Sequence, residues 1–184
     1  MGNNYRPTLF AERLRTPIGE LVLVTDELDR VRALDWDDFS SRMVRLLSAH
    51  YGRTVEPPSA RASTSPSLRL VEAYFAGDLH AIDAIPVASH GTPFQESVWQ
   101  ALRTIPAGTT KSYGELAQAI GRPTAVRAVG LANGANPIGV IVPCHRVIGA
   151  NATLTGYGGG LPRKQWLLEH EGARTFRIPF PRSA

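Results

Sequence analysis

Asn136-Pro137-Ile138-Gly139-Val140-Ile141-Val142-Pro143-Cys144-His145-Arg146-Val147-Ile148-Gly149 holds the only cysteine in a chain of 184 residues. Its β-branched run, Ile138 with Val140, Ile141 and Val142, predicts a short buried strand. Pro143 lacks a backbone N–H and ends that strand. Cys144 and His145 then stand at a strand exit, where side chains can be held rigidly and still be reached. On a continuing strand these neighbours would point to opposite faces. Pro143 instead predicts a turn or short helix, and a cysteine at a helix start has its thiolate favoured by the dipole. A lone cysteine is ordinarily a small buried hydrophobe, so the pair needs support from the rest of the chain.

Composition narrows the class. The apolar fraction is 43% and the charged fraction 20%, ordinary for a globular protein with one or two domains. No stretch approaches the roughly 18–20 apolar residues of a membrane span. Met1-Gly2-Asn3-Asn4-Tyr5-Arg6 lacks the apolar core of a signal peptide. One cysteine excludes an internal disulfide and a multi-cysteine zinc site. His50, His80 and His90 are scattered without metal-ligand spacing, so no metal and no cofactor is expected. The expectation is a reduced, cytoplasmic protein.

Charge is segregated. Residues 1–91 carry ten Arg against twelve Asp and Glu, a net −2, while residues 92–184 carry ten Lys and Arg against four Glu, a net +6. Such a division suits a polyanion partner facing the C-terminal half.

Around the cysteine segment the chain divides into an N-terminal α/β support module (residues 1–84), a linker (85–91) and a C-terminal domain (92–184). Residues 8–15, 20–25 and 30–36 read as strands of an antiparallel meander, with a turn at Thr16-Pro17-Ile18-Gly19. Asp37 or Asp38 can cap a helix running to about Tyr51, with Met43, Leu46, Leu47 and His50 on one face. Glu56 to Pro66 reads as a loop, and Ser67 to Ala76 as a helix stopped by Gly77. Thr92-Pro93-Phe94-Gln95 is a capping box that opens a helix with Phe94, Val98, Trp99, Leu102 and Ile105 inward. Ser112-Tyr113-Gly114-Glu115 is a second capping box, opening a helix through Ile120. Gly121-Arg122-Pro123 breaks it, and a further helix runs from Thr124 to about Ala132. Two short helices about a Gly-containing turn predict a helix-turn-helix. The second helix carries small residues around Arg127, a slim profile suited to a narrow groove. The glycines of Asn151 to Gly160 permit close approach of a ligand. Pro162 to Glu171 reads as the last helix, with Trp166 and Leu167 inward and Gly172 as its stop. Glu171 thus falls at the negative end of a helix dipole, where a carboxylate needs a cationic or proton-donating partner.

Pro143-Cys144-His145-Arg146-Val147, with Asn136-Pro137 upstream, resembles the active-site signature of the O6-alkylguanine-DNA alkyltransferases, also called methylated-DNA–protein-cysteine methyltransferases. The resemblance extends to Tyr113, Arg127, Tyr157 with its following glycines, and Glu171 before Gly172, in the family's order. It spans nearly the whole chain and matches the stand-alone bacterial type. It implies an α+β fold: a small antiparallel sheet with helices, ribonuclease H-like, followed by a mainly helical domain with a helix-turn-helix. It implies irreversible transfer of the alkyl group from O6-alkylguanine, and O4-alkylthymine, to Cys144 after the nucleotide is flipped out of duplex DNA. Binding is expected through the minor groove, by a monomer with no obligate protein partner. The roles carried over are catalytic for Cys144, His145, Glu171, Tyr113 and Asn136. His145 takes the thiol proton through a water, Glu171 orients it, Tyr113 aids departure of the base, and Asn136 fixes the turn before the cysteine. Arg127 fills the gap left by the flipped nucleotide, beside further DNA contacts at Ser112, Thr124, Ala125, Ala128 and Gly130. Tyr157, Gly158, Val147 and Gly139 line the substrate pocket. Gly158 and Gly139 stand where some relatives carry serine and proline, and Val126 is bulkier than the usual alanine.

Two other readings stay open on sequence. A non-catalytic lesion binder of the same fold usually carries tryptophan at the cysteine position. A cysteine hydrolase is disfavoured by the helix pair and the segregated charge.

Overall fold

Thr16-Pro17-Ile18-Gly19 forms the predicted turn, in which the Thr16 hydroxyl donates to the Gly19 carbonyl at 2.6 Å. It joins β1 (Phe10–Thr16) to β2 (Gly19–Thr25), which pairs in turn with β3 (Val31–Trp36). All three run antiparallel, as the alternating short segments predict. The computed structural model describes residues 7–51, 59–61, 63–174 and 176–177. Contacts divide the chain into two compact units between Ser89 and His90.

In the first unit, α1 (Ser40–Tyr51) follows β3 after a 3-10 turn at Asp37–Phe39. No side chain caps that 3-10 turn, and Asp37 accepts from Arg13 at 2.6 Å. Met43 and Leu47 of α1 pack on Val22, Val24 and Ala33 of the sheet. A two-residue strand β4 (Ser59–Ala60) lies parallel to β1 inside the stretch read as loop, giving the order β3-β2-β1-β4. The sheet is therefore mixed at its edge. Residues 56–58 and 62 of the Glu56–Pro66 loop expectation lie outside the described residues. Ser65 caps α2 (Pro66–Phe75), accepting from the Leu68 N–H. Ile85, expected in the linker, is buried, and Pro86 and Ala88 hydrogen-bond to Val31.

In the second unit both capping boxes form as predicted. Thr92 opens α3 (Pro93–Arg103), and Ser112 opens α4 (Tyr113–Ala119). After a turn comes α5 (Val126–Gly134), displaced two residues C-terminal of its predicted span. β5 (Lys111–Ser112) pairs in parallel with β6 (Val147–Ile148), and α6 (Leu161–His170) follows. Among the described residues no helix is long and apolar enough to cross a membrane.

Candidate active site

The segment before Cys144 is buried as predicted but is not a strand. Val140 has φ 65°, a left-handed conformation that β-branched residues rarely take. The Ile141 N–H donates to the Gly139 carbonyl at 2.7 Å, closing a three-residue turn over Val140, and the Val142 N–H donates to Ile138. Strain of this kind costs on the order of 1–3 kcal/mol and persists only where surroundings enforce it. Asn136 is one enforcer. Its amide donates to the Val142 carbonyl at 2.8 Å and to that of Ile138 at 3.3 Å, and its oxygen accepts from the Ile138 N–H. Gly139 is half-buried at the head of this turn. The β-branched side chains point into the core from turns because Asn136 supplies bonds that a neighbouring strand would otherwise give.

Pro143 is followed by a single 3-10 turn, Cys144–Arg146, the short helical turn predicted there, although no strand precedes it. Cys144 is buried, 6% exposed, and in no disulfide. His145 Nε2 lies 2.9 Å from Glu171 Oε1 in a fully buried pair. Arg146, to which the sequence reading gave no role, donates to both Glu171 oxygens at 2.9 and 2.8 Å. Burial alone would raise the Glu171 pKa. His145 and Arg146 outweigh it and hold the carboxyl well below its usual range. Burial pushes His145 down from 6.5, more than Glu171 pulls it up. The resting site is thus a carboxylate and a neutral imidazole. A carboxylate only accepts, so His145 Nε2 carries the hydrogen and Nδ1 keeps a lone pair. Nδ1 is buried and has no protein partner.

Glu171 caps α6, and Gly172 turns the chain away at φ 76°. Gly108, also left-handed, packs under it. A Cβ at Gly108 would fall 2.8 Å from the Glu171 carbonyl oxygen, so only glycine fits.

The pairing of β5 with β6 sets Ser112 opposite Ile148, and so brings the start of α4 beside the cysteine segment. Tyr113 is half-buried, and its hydroxyl accepts from Thr155 Oγ1 at 3.3 Å. Its ring lies 3.8 Å from where a Cβ on Gly130 would stand, which seats α5 against it. Lys164 is the second residue the sequence reading missed. It is fully buried, and Nζ donates to the carbonyls of Val147 at 2.6 Å and Thr155 at 2.9 Å. Burial lowers its pKa to about 8, against the opposing pull of the Cys144 charge. Lys164 thereby ties β6 to the loop that carries Tyr157 and Gly158, both half-buried. Val147 is buried, with its carbonyl already engaged by that lysine.

On α5 and the turn before it, Thr124, Arg127 and Ala128 are exposed, while Ala125 and Gly130 are half-buried. Ser112 is occupied by its cap, donating to Glu115 at 2.7 Å and accepting from the Glu115 N–H. Among the described residues no cluster of His, Cys, Asp and Glu could hold a metal.

A buried thiol is thus followed directly by an imidazole that a buried carboxylate holds, in the unit that also carries the helical pair α4 and α5. Residues 93–173 match the family model of the 6-O-methylguanine DNA methyltransferase DNA-binding domain. Over 165 residues the chain is 54% identical to the methylated-DNA–protein-cysteine methyltransferase of Shigella flexneri, covering 89% of this chain and 96% of that one. The O6-methylguanine methyltransferase structure of Mycobacterium tuberculosis matches with TM-score 0.69 and 41% identity, covering 89% of this chain and 93% of that one. Mycobacterium tuberculosis OGT in complex with DNA matches with TM-score 0.73 and 42% identity, over 89% and 92%. The chain belongs to the methylated-DNA–protein-cysteine methyltransferase family.

Proposed function

We propose that this protein repairs alkylated DNA by direct reversal, moving the alkyl group from guanine O6, or thymine O4, to its own Cys144. The observation that carries the reading is the buried run of Cys144, His145, Arg146 and Glu171 in a chain of this family. His145 Nδ1 takes the Cys144 proton, directly or through one water, and Glu171 stabilises the imidazolium that forms. The thiolate sulfur attacks the alkyl carbon. The S–C bond forms, the C–O6 bond breaks, and its electron pair leaves with the base. Tyr113 donates a hydrogen bond to that base, and the proton taken from Cys144 returns to it. Asn136 and Lys164 hold the walls, and Tyr157, Gly158, Val147 and Gly139 surround the base. The product is a thioether, which does not hydrolyse, and the chain has no second cysteine to take the group onward.

The pair α4 and α5 acts as a helix-turn-helix whose second helix enters the minor groove. Thr124, Ala125, Ala128 and Gly130 keep that face slim, Ser112 fixes the approach of α4, and Arg127 occupies the place of the flipped nucleotide. One monomer acts per lesion, in the cytoplasm. The test is mass spectrometry after incubation with duplex DNA containing O6-methylguanine. One methyl group is expected on the peptide containing Cys144, with one lesion repaired per protein. Multiple turnovers, or a methyl group elsewhere, would refute the transfer. Tight binding with no gain in mass would make the protein a lesion binder.

A further inference from the structure

The large apolar side chains exposed among the described residues are Leu28, Val44, Val126 and Leu131. Two of the four lie on α5, and Leu131 is the most exposed of all at 77%. An isolated exposed leucine needs no explanation, but the position of this one calls for one. The opposite face of α5 is fixed inward by Val129, Ala132 and Asn133. Trp99 Nε1 also donates to the Ala132 carbonyl at 2.9 Å. The helix therefore cannot roll to hide Leu131. Leu131 follows Arg127 by four residues, so the two stand one turn apart on one face. Val126, Ala128 and Gly134 are the other exposed residues of α5, which has no acidic residue. The exposed face is thus acid-free, with one cation and with Leu131 as its longest and most exposed apolar tip, inside the half of the chain with net charge +6.

That combination fits a groove with anionic rims and apolar walls. The DNA minor groove is about 6 Å wide, with phosphates at its rims. Leucine is among the side chains that enter it as wedges and unstack a base step. We infer that Leu131 is a second, apolar wedge on α5, which packs into the minor groove at a base step beside the lesion. Four residues of helix rise about 6 Å, and bases stack about 3.4 Å apart along a strand. Leu131 therefore meets the duplex about two steps from Arg127. This inference rests on the reading of α5 as the DNA-contacting helix.

The test uses the full chain with Cys144→Ser in every sample, so that binding is read without transfer. The duplex carries O6-methylguanine and a 2-aminopurine two steps away, whose fluorescence rises on unstacking. Leu131→Ala should weaken binding about 3- to 10-fold and lose most of the fluorescence rise, while Leu131→Met restores both. The slope of log affinity against log salt should stay the same, because an apolar wedge releases no counterions. Unchanged affinity and fluorescence in Leu131→Ala, with Arg127→Ala impaired, would overturn the wedge alone. If both variants bind and unstack as the parent does, α5 is not the DNA face and the underlying reading fails too. A salt slope shallower by about 1 in Leu131→Ala would also overturn the wedge, since phosphate contacts would then have been lost. The melting temperature checks the fold, which loses no buried contact in this variant.

Discussion

Glu171 accepts from His145 and Arg146 in a space without solvent, so none of the three can be changed alone. Glu171→Gln keeps the shape and removes the charge, leaving a buried guanidinium without its counter-charge. Breaking a buried pair in this way costs about 3–5 kcal/mol. Arg146 is what makes this substitution a matter of stability as well as of chemistry. Chemical denaturation should show the loss near neutral pH, and the difference from wild type should shrink in acid. The reason is that the depressed Glu171 pKa contributes stability above the ordinary carboxylate value, near 4.5, and loses it as pH falls. Transfer should respond differently. His145, held below 6.5, stays neutral and basic at pH 7, so the wild-type rate falls only in acid below the ordinary histidine range. Removing the Glu171 charge lowers His145 further, so the acid limb of the single-turnover rate moves to lower pH while the plateau drops. An unchanged melt and pH profile would leave Glu171 an ordinary helix-end residue. Its need for a partner was legible from its place at the end of a helix. Arg146 was readable only in outline, as a cation next to Cys144 and His145 in a half with four Glu. Lys164 had a periodic signal, since Lys164, Leu167 and Leu168 share one buried face of α6, but a lysine within an apolar stripe ordinarily reads as a surface residue.

Elements with local chemical signatures were legible, and elements held by distant partners were not. The two capping boxes, the β1–β2 turn and the stop at Gly172 each depend on residues within four positions. β4 and β6 are two residues long and exist through pairing with β1 and β5, which leaves no pattern in sequence. Ile138 to Val142 misled because β-branched residues mark burial as well as strands. Asn136, two residues before the run, replaces the ladder with its own side chain. The start of α5 slipped because Thr124 and Ala125 form the turn before it, and no side chain caps that helix. The slip puts Arg127 in the first turn of α5, exposed. A flipped nucleotide leaves a stacking vacancy, and unstacking costs a few kcal/mol. Arg127→Ala should therefore slow repair of duplex DNA at saturating protein far more than reaction with the free O6-alkylguanine base, which needs no flipping. Rapid-quench single-turnover rates on both substrates check this. Recovery of the duplex rate at saturation would make Arg127 a phosphate contact, and equal slowing of both would place the damage in the cysteine pocket.

At the scale of the whole molecule, the division of charge follows the division of labour. Among the described residues of the unit ending at Ser89, several arginines are held by acids of the same unit. Arg30 and Arg32 converge on the buried Asp26, Arg42 on Asp35, and Arg61 lies near Glu12 and Asp29. The unit beginning at His90 buries Arg146 and Lys164 in the site, but its other cations face few acids of their own, because residues 92–184 hold four Glu and no Asp. Phosphate contacts should therefore come from this half. Each contact contributes about −0.9 to the slope of log affinity against log salt on duplex DNA. Replacing exposed Arg122 or Arg127 singly should make that slope shallower by about 1 if the side chain meets a phosphate. Charge-neutral replacement of Arg30 should leave the slope alone while lowering the melting temperature. Phosphates carry little sequence information, so lesion and undamaged duplexes should share the slope and differ by an offset that salt does not change. Fluorescence anisotropy across a salt series, with Cys144→Ser in every sample, reads both quantities. A slope near zero would mean that the basic half faces something other than DNA. A slope that steepened on the lesion duplex alone would mean that flipping recruits extra phosphate contacts, and the separation between charge for binding and side-chain insertion for extrusion would then be wrong.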